Sequence, residues 1–174
     1  MSRLKIQAHI EGLDELRKTL RGLPAQIQRR VLRPAMAAEG RRVAKHARIY
    51  VPVRHGLLKK SMGSKVKTYV QSGAVVAIVG PRSDYKQVIA GKPVKPSKYA
   101  HLVEFGTRAH LIPRRSNVAT RKTYGGQMHP GAKAQKPLTR GYKSGLEGAG
   151  PRMADRMAVE IEKQAAKGAF RGRA

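Results

Sequence analysis

The stretch PAQIQRRVLRPAMAAEGRRVAKHARIY, residues 24–50, sets apolar side chains at Ile27, Val31, Ala35, Ala38, Val43, Ala47 and Tyr50, a recurrence of three to five positions. That period gathers them along one side of a helix, which must bury them against other elements. The opposite side is cationic, with Arg29, Arg30, Arg33, Arg41, Arg42, Lys45 and Arg48. Such a face is either solvated or meets something acidic, so Arg29, Arg30, Arg33, Arg41 and Arg42 are candidates for contact with DNA or an acidic partner. Pro34 lacks a backbone donor and predicts a kink or break near Arg30–Pro34, and Pro52 stops the helix.

On the N-terminal side, Leu4, Ile6, Ala8 and Ile10 alternate with polar residues, the period of a half-buried strand, and a short helix can follow through Leu13, Leu16 and Leu20. On the C-terminal side, Leu57 to Met62 reads as a turn or strand entry. Lys65–Val70 and Ala74–Gly80 read as two strands of a hairpin around Gln71-Ser72-Gly73. The second is apolar at successive positions, which predicts a central place in its sheet. Pro81 to Ser97 reads as loop, and Tyr99 to Phe105 fits either strand or short helix. Helix resumes at Pro137, pauses at Gly145, Gly148 and Gly150, and restarts at Pro151. Met153, Met157 and Ile161 then form a stripe that reads as core. The fold class is therefore α+β: a small, largely antiparallel sheet packed by the long helix and the C-terminal helix, with long projecting loops. One domain over residues 1–170 is expected, containing a long basic loop at 107–136 and ending in a basic tail at 171–174.

The chain carries 37 Lys and Arg against 10 Asp and Glu, a formal net charge of +27. Self-repulsion on that scale opposes compaction and points to an acidic or polyanionic partner. The charge is spread along the chain, which argues against a compact recognition helix. With no Cys, disulfides and thiolate metal sites are excluded. The longest apolar run, Ala74–Val79, is too short to cross a bilayer, and no continuous apolar leader stands at the N-terminus, so a soluble protein with no membrane partner is expected.

Three short motifs follow one another. Val51-Pro52-Val53-Arg54-His55-Gly56-Leu57-Leu58-Lys59-Lys60-Ser61 joins a helix stop to a tight turn and two apolar residues that re-enter the core. Tyr99-Ala100-His101-Leu102-Val103-Glu104-Phe105-Gly106-Thr107 sets one acid among apolar residues, and His129-Pro130-Gly131 leads to Pro137. In order and spacing, over about two thirds of the chain, they resemble the gene-product-10-like family of tailed bacteriophages. Members of that family complete the tail or join it to the head. Leu138 stands where that family usually has Phe, and His55 where a small polar residue is usual.

The resemblance implies a virion protein assembled in the host cytoplasm. It would form a closed ring of six copies or twice that, between the head connector or adaptor proteins and the tail tube or terminator proteins, with packaged DNA in the channel as a further partner. Candidate contacts to neighbouring subunits or rings are Tyr99, Glu104, Phe105, His110, Arg114, Arg115, Arg121, Lys122 and His129. Glu104 reads as an internal ion pair or as a contact to a neighbour. Phe105 reads as core when taken on its own. The loops 81–97 and 107–136 are expected to take shape on meeting neighbours.

No catalytic pattern is present. His101, His110 and His129 lack metal-type spacing, no phosphate-cradling Gly loop occurs, and Ser61, Ser64 and Ser97 lack an elbow context. Neither enzyme activity nor a cofactor is expected. The competing class is a basic nucleic-acid-binding protein, for which stacking aromatics or a recognition helix would be the signature, and neither is visible.

Overall fold

The structure is a computed structural model that describes residues 25–69, 74–112 and 126–167. The expected strand at Leu4–Ile10, the short helix after it, the turn at Gln71–Gly73 and the tail from residue 171 lie outside the described residues.

The elements run α1 (Ala25–Tyr50), α2 (Leu57–Ser61), β1 (Met62–Thr68), β2 (Val75–Pro81), β3 (Gln87–Ile89), β4 (Lys92–Val94), a 3-10 turn (Pro96–Lys98), α3 (Ala100–Phe105), β5 (His110–Ile112), β6 (Gln127–His129), α4 (Pro137–Leu146) and α5 (Ala149–Ala166). The α+β class is as expected, with the long helix at the centre. The strands form three antiparallel two-stranded ribbons, β1–β2, β3–β4 and β5–β6.

Helix α1 is covered on three sides, each by a different chemistry. Near its start Val31 and Ala35 pack on Met153 and Met157 of α5, with Leu32, Met36 and Ile161 around them. The methionine stripe is core, as its spacing predicts. At mid-helix the β1–β2 ribbon lies on Gly40, where an added methyl would sit 3.1 Å from Ala77 Cβ and 3.2 Å from Ser64 Cβ. Toward its end α1 meets α4 with no side chain between the backbones. A methyl at Gly141 would come 2.3 Å from Ala47 Cα, and one at Gly145 would come 2.8 Å from Val43 Cα. The two glycines are one turn apart and lie on the same face of α4, which lets the helix axes approach closely. Gly145 therefore marks a helix contact inside α4, and of the pause expected at Gly145, Gly148 and Gly150 only Gly148 lies between the two helices.

An ion pair whose carboxylate is buried ties these layers together. Arg152 Nη2 lies 2.7 Å from Glu39 Oε2, and its Nε donates to Oε1 at 3.2 Å. The same guanidinium donates to the carbonyls of Glu147 and Gly145, occupying acceptors at the end of α4. The hydrogen bond to Glu39, and also the charge of that carboxylate, hold the Arg152 pKa above the usual guanidinium range against the opposing effect of burial.

Several expectations change. Helix α1 runs unbroken through Pro34. Pro34 and Arg30 are both exposed, so the carbonyl left without its donor can bond to water. Among the described residues β2 pairs with β1 alone, so it is not a central strand, and Val76 and Ile78 on its outer face are exposed. The segment 81–97 is not plain loop. Ala90 and Gly91, both at positive φ, make the two-residue turn of the β3–β4 ribbon. Pro93 is accommodated in β4 because that strand has only one partner among the described residues. Tyr99–Phe105 is helical from Ala100, not a strand.

Candidate assembly interface

The three motifs converge on one cluster. Val51 at the end of α1, Leu58 of α2, Met62 of β1 and Ala100 of α3 are buried together, and Tyr99, Val103 and Leu138 pack around them. Gly56, at φ 68°, makes the sharp turn that sends Leu57 and Leu58 inward, and the Lys60 amide closes it on the Gly56 carbonyl at 2.9 Å. Leu138 fills the place where an aromatic is usual in the resembled family. Tyr99 lies at the edge of the cluster. Burial, and secondarily the charge of Tyr85, raise its phenol pKa.

Glu104 is 3 % exposed, and its carboxylate is spent on the start of α4. Oε2 accepts from the Leu138 amide at 2.8 Å, and Oε1 accepts from the Thr139 amide at 3.0 Å and from Thr139 Oγ1 at 2.5 Å. Four amides at a helix start lack partners within the helix, and a carboxylate there also meets the positive end of the helix dipole. Glu104 is thus a cap supplied from a distant part of the chain. In place of the expected internal ion pair, neutral amide and hydroxyl donors hold the carboxylate.

Just beyond, two glycines make a clamp. Thr107 and Ala132 exchange both backbone hydrogen bonds, at 2.9 and 3.0 Å. A methyl on Gly106 would fall 2.4 Å from the Ala132 carbonyl oxygen, and one on Gly131 would fall 2.3 Å from that of Thr107. Both glycines have positive φ, a region that other residues rarely adopt. The second and third motifs are therefore two halves of one closure, which the sequence does not reveal because the partners are far apart along the chain.

From this clamp the β5–β6 ribbon extends. His110 and His129 face each other across it with ring centroids 5.0 Å apart. Nδ1 of His129 accepts from the Gly131 amide at 3.0 Å, which fixes the turn of the third motif. Leu111 is 60 % and Met128 67 % exposed, and Ile112 is exposed as well. Phe105, expected in the core, is 54 % exposed, because the buried side of the short α3 is taken by Ala100 and Glu104.

Of the candidate contact residues, Tyr99, Glu104, Phe105, His110 and His129 lie along this one path through α3 and the ribbon. Arg114, Arg115, Arg121 and Lys122 lie outside the described residues. The cationic set is a separate feature on α1. Arg30, Arg33, Arg41 and Arg42 are exposed along with Lys45 and Arg48, while Arg29 is half-buried with its Nε lacking a hydrogen-bond partner. Arg33 reaches Thr68 Oγ1 at 3.4 Å, and Arg48 donates to the Met62 carbonyl at 2.6 Å. The one acid of α1, Glu39, is buried in its pair with Arg152, so the exposed side carries positive charge alone.

Among the described residues no group of three or more His, Cys, Asp or Glu could hold a metal ion, and no helix is long and apolar enough to cross a membrane. A family model described as "Bacteriophage HK97-gp10, putative tail-component" matches residues 14–106, more than half of the chain. Neither a curated protein nor a solved structure matches.

Proposed function

The chain belongs to the HK97-gp10-like family of bacteriophage tail components, and from that premise we propose that it is a ring subunit at the head–tail junction or the head-proximal end of the tail. There it completes the tail and attaches it to the head connector. Six copies or twice that close the ring, and its neighbours are the connector or adaptor proteins on one side and the tube or terminator proteins on the other.

The observation that carries this reading is the β5–β6 ribbon, which presents Leu111, Ile112 and Met128 to solvent beside the exposed Phe105. Apolar surface gains roughly 25 cal/mol per Å² when removed from water, so such a projection is stabilised by a neighbour that covers it. A closed ring needs unlike patches that meet, one on each side of the subunit.

Native mass spectrometry and negative-stain imaging of the purified protein test this. Closed rings are expected. Leu111→Lys combined with Met128→Lys should abolish attachment of tails to heads while leaving the circular dichroism spectrum unchanged. Normal infectivity of that double variant would count against the role of the ribbon.

A second reading has its own support, the exposed side of α1 with its unbroken positive charge. It contacts the DNA that passes through the channel, or an acidic ring component, through phosphate-type interactions that are independent of sequence.

A further inference from the structure

A groove of about 650 Å³ lies between the corner that follows α1 and the β3–β4 ribbon. Leu57 and Leu58, both buried, line its base, and Val53, Ile89, Val94 and Val103 line its sides. Arg54, His55 and Lys92 also line it and are exposed, and no Asp or Glu does. An occupant that brings apolar side chains and carboxylates is therefore favoured.

The chain itself carries one such surface. On α5, Asp155, Val159 and Glu162 stand at i, i+4 and i+7, all exposed, with the exposed Ala158 and Ala166 on the same side. Arg156 and Lys163 border Val159 on its other side, so the strip sets two carboxylates, a valine and alanines beside one cationic flank. Its small side chains allow a helix to seat deeply. In a chain of net charge +27, surfaces of this sign are scarce. The β5–β6 ribbon is a poorer fit to the groove, because Arg108 and His110 flank its Leu111 and it carries no carboxylate.

We propose that the α5 strip of one copy seats in the groove of the next, which supplies the unlike pair of patches that a cyclic assembly requires. This rests on the ring reading above and names the contact that closes the ring. The charges at its rim, Arg54 and Lys92 on one copy and Asp155 and Glu162 on the other, set the direction of assembly and oppose a symmetric back-to-back dimer.

The test is charge reversal with rescue in the full chain, read by analytical ultracentrifugation at low salt. Arg54→Glu with Lys92→Glu should weaken self-association about tenfold or more, and so should Asp155→Lys with Glu162→Lys. All four sites are exposed, so folding should survive, as circular dichroism can check. An equimolar mixture of the two variants should associate again. In the mixture every contact between unlike chains joins opposite charges, the original pair or the reversed one, so alternating closed assemblies should return, as they should for the quadruple variant. Rings that ignore both reversals would overturn this contact and leave the ring reading intact. A wild-type chain that stays monomeric at every concentration would overturn both. Open chains that are lost on reversal and regained on rescue would support the contact and sink only closure.

Discussion

Glu104 shows how much one side chain can hold. Its two oxygens satisfy three donors at the head of α4, in a place shut off from water. Glu104→Ala leaves those donors without acceptors and should cost about 3 kcal/mol in urea denaturation, whereas Glu104→Gln, which keeps one acceptor, should cost about half as much. An Ala variant as stable as the wild type would mean that α4 finds another cap. The acid was conspicuous in the sequence, a lone carboxylate among apolar residues, but its partners were not, since Leu138 and Thr139 lie more than thirty positions away. A pattern read along the chain can mark a residue as unusual without revealing what it faces.

Two tyrosines carry a testable pH dependence. Burial raises the pKa of Tyr142, and burial with the charge of Tyr85 raises that of Tyr99, both from the ordinary 10.0. A raised folded-state value means that the native state holds the phenol proton more tightly than the unfolded chain does. Their contribution is therefore fully present below pH 10 and is lost as pH rises through the folded-state values. Thermal melts should fall faster above pH 10 for the wild type than for Tyr99→Phe combined with Tyr142→Phe. Parallel alkaline losses would contradict this.

At the scale of elements, the α1–α4 contact is the tightest in the described fold. Alanine normally favours a helix over glycine by about 1 kcal/mol, but at Gly141 its methyl would overlap the backbone of Ala47. Gly141→Ala should therefore destabilise by about 3 kcal/mol or more. Gly145→Ala, with a little more room at Val43, should cost less, and both are measured by chemical denaturation. A neutral Gly141→Ala would show that the two helices can part easily.

Periodicity foretold the helices around this contact and the antiparallel β1–β2 pair. It misread Gly145 as a stop, because a glycine that breaks a helix and a glycine that admits a neighbour look alike in one dimension. The spacing Gly141-x-x-x-Gly145 was the available signal. The β3–β4 ribbon was missed for a related reason. Ala90 is an unusual choice for a turn position with positive φ, and Pro93 discourages a strand unless it lies at an edge.

For the whole molecule, charge is the governing quantity. The described acids before α4 are Glu39, Asp84 and Glu104, and Glu39 and Glu104 are turned inward. If the exposed side of α1 meets phosphates, each arginine removed should lower the slope of log K against log salt by about 0.9. Arg30→Gln, Arg41→Gln and Arg42→Gln together should flatten a duplex-DNA titration by roughly three such steps, without preference for sequence. An unchanged slope would assign that side to solvent or to a protein neighbour. The sequence made the net charge plain and did not show where it was left uncompensated, since that depends on which acids the fold buries.

The backbone pair of Thr107 and Ala132, next to Gly106 and Gly131, also joins the two ends of the chain segment that begins and ends there. Because the two backbones are already bonded at the base, whatever lies between them is a closed excursion, and doubling its length adds only about 0.6 kcal/mol of closure entropy. Segments of another length or composition can be exchanged there with little effect on how the domain holds itself together. An insert of about twice the length there should accordingly leave the urea midpoint of the domain nearly unchanged.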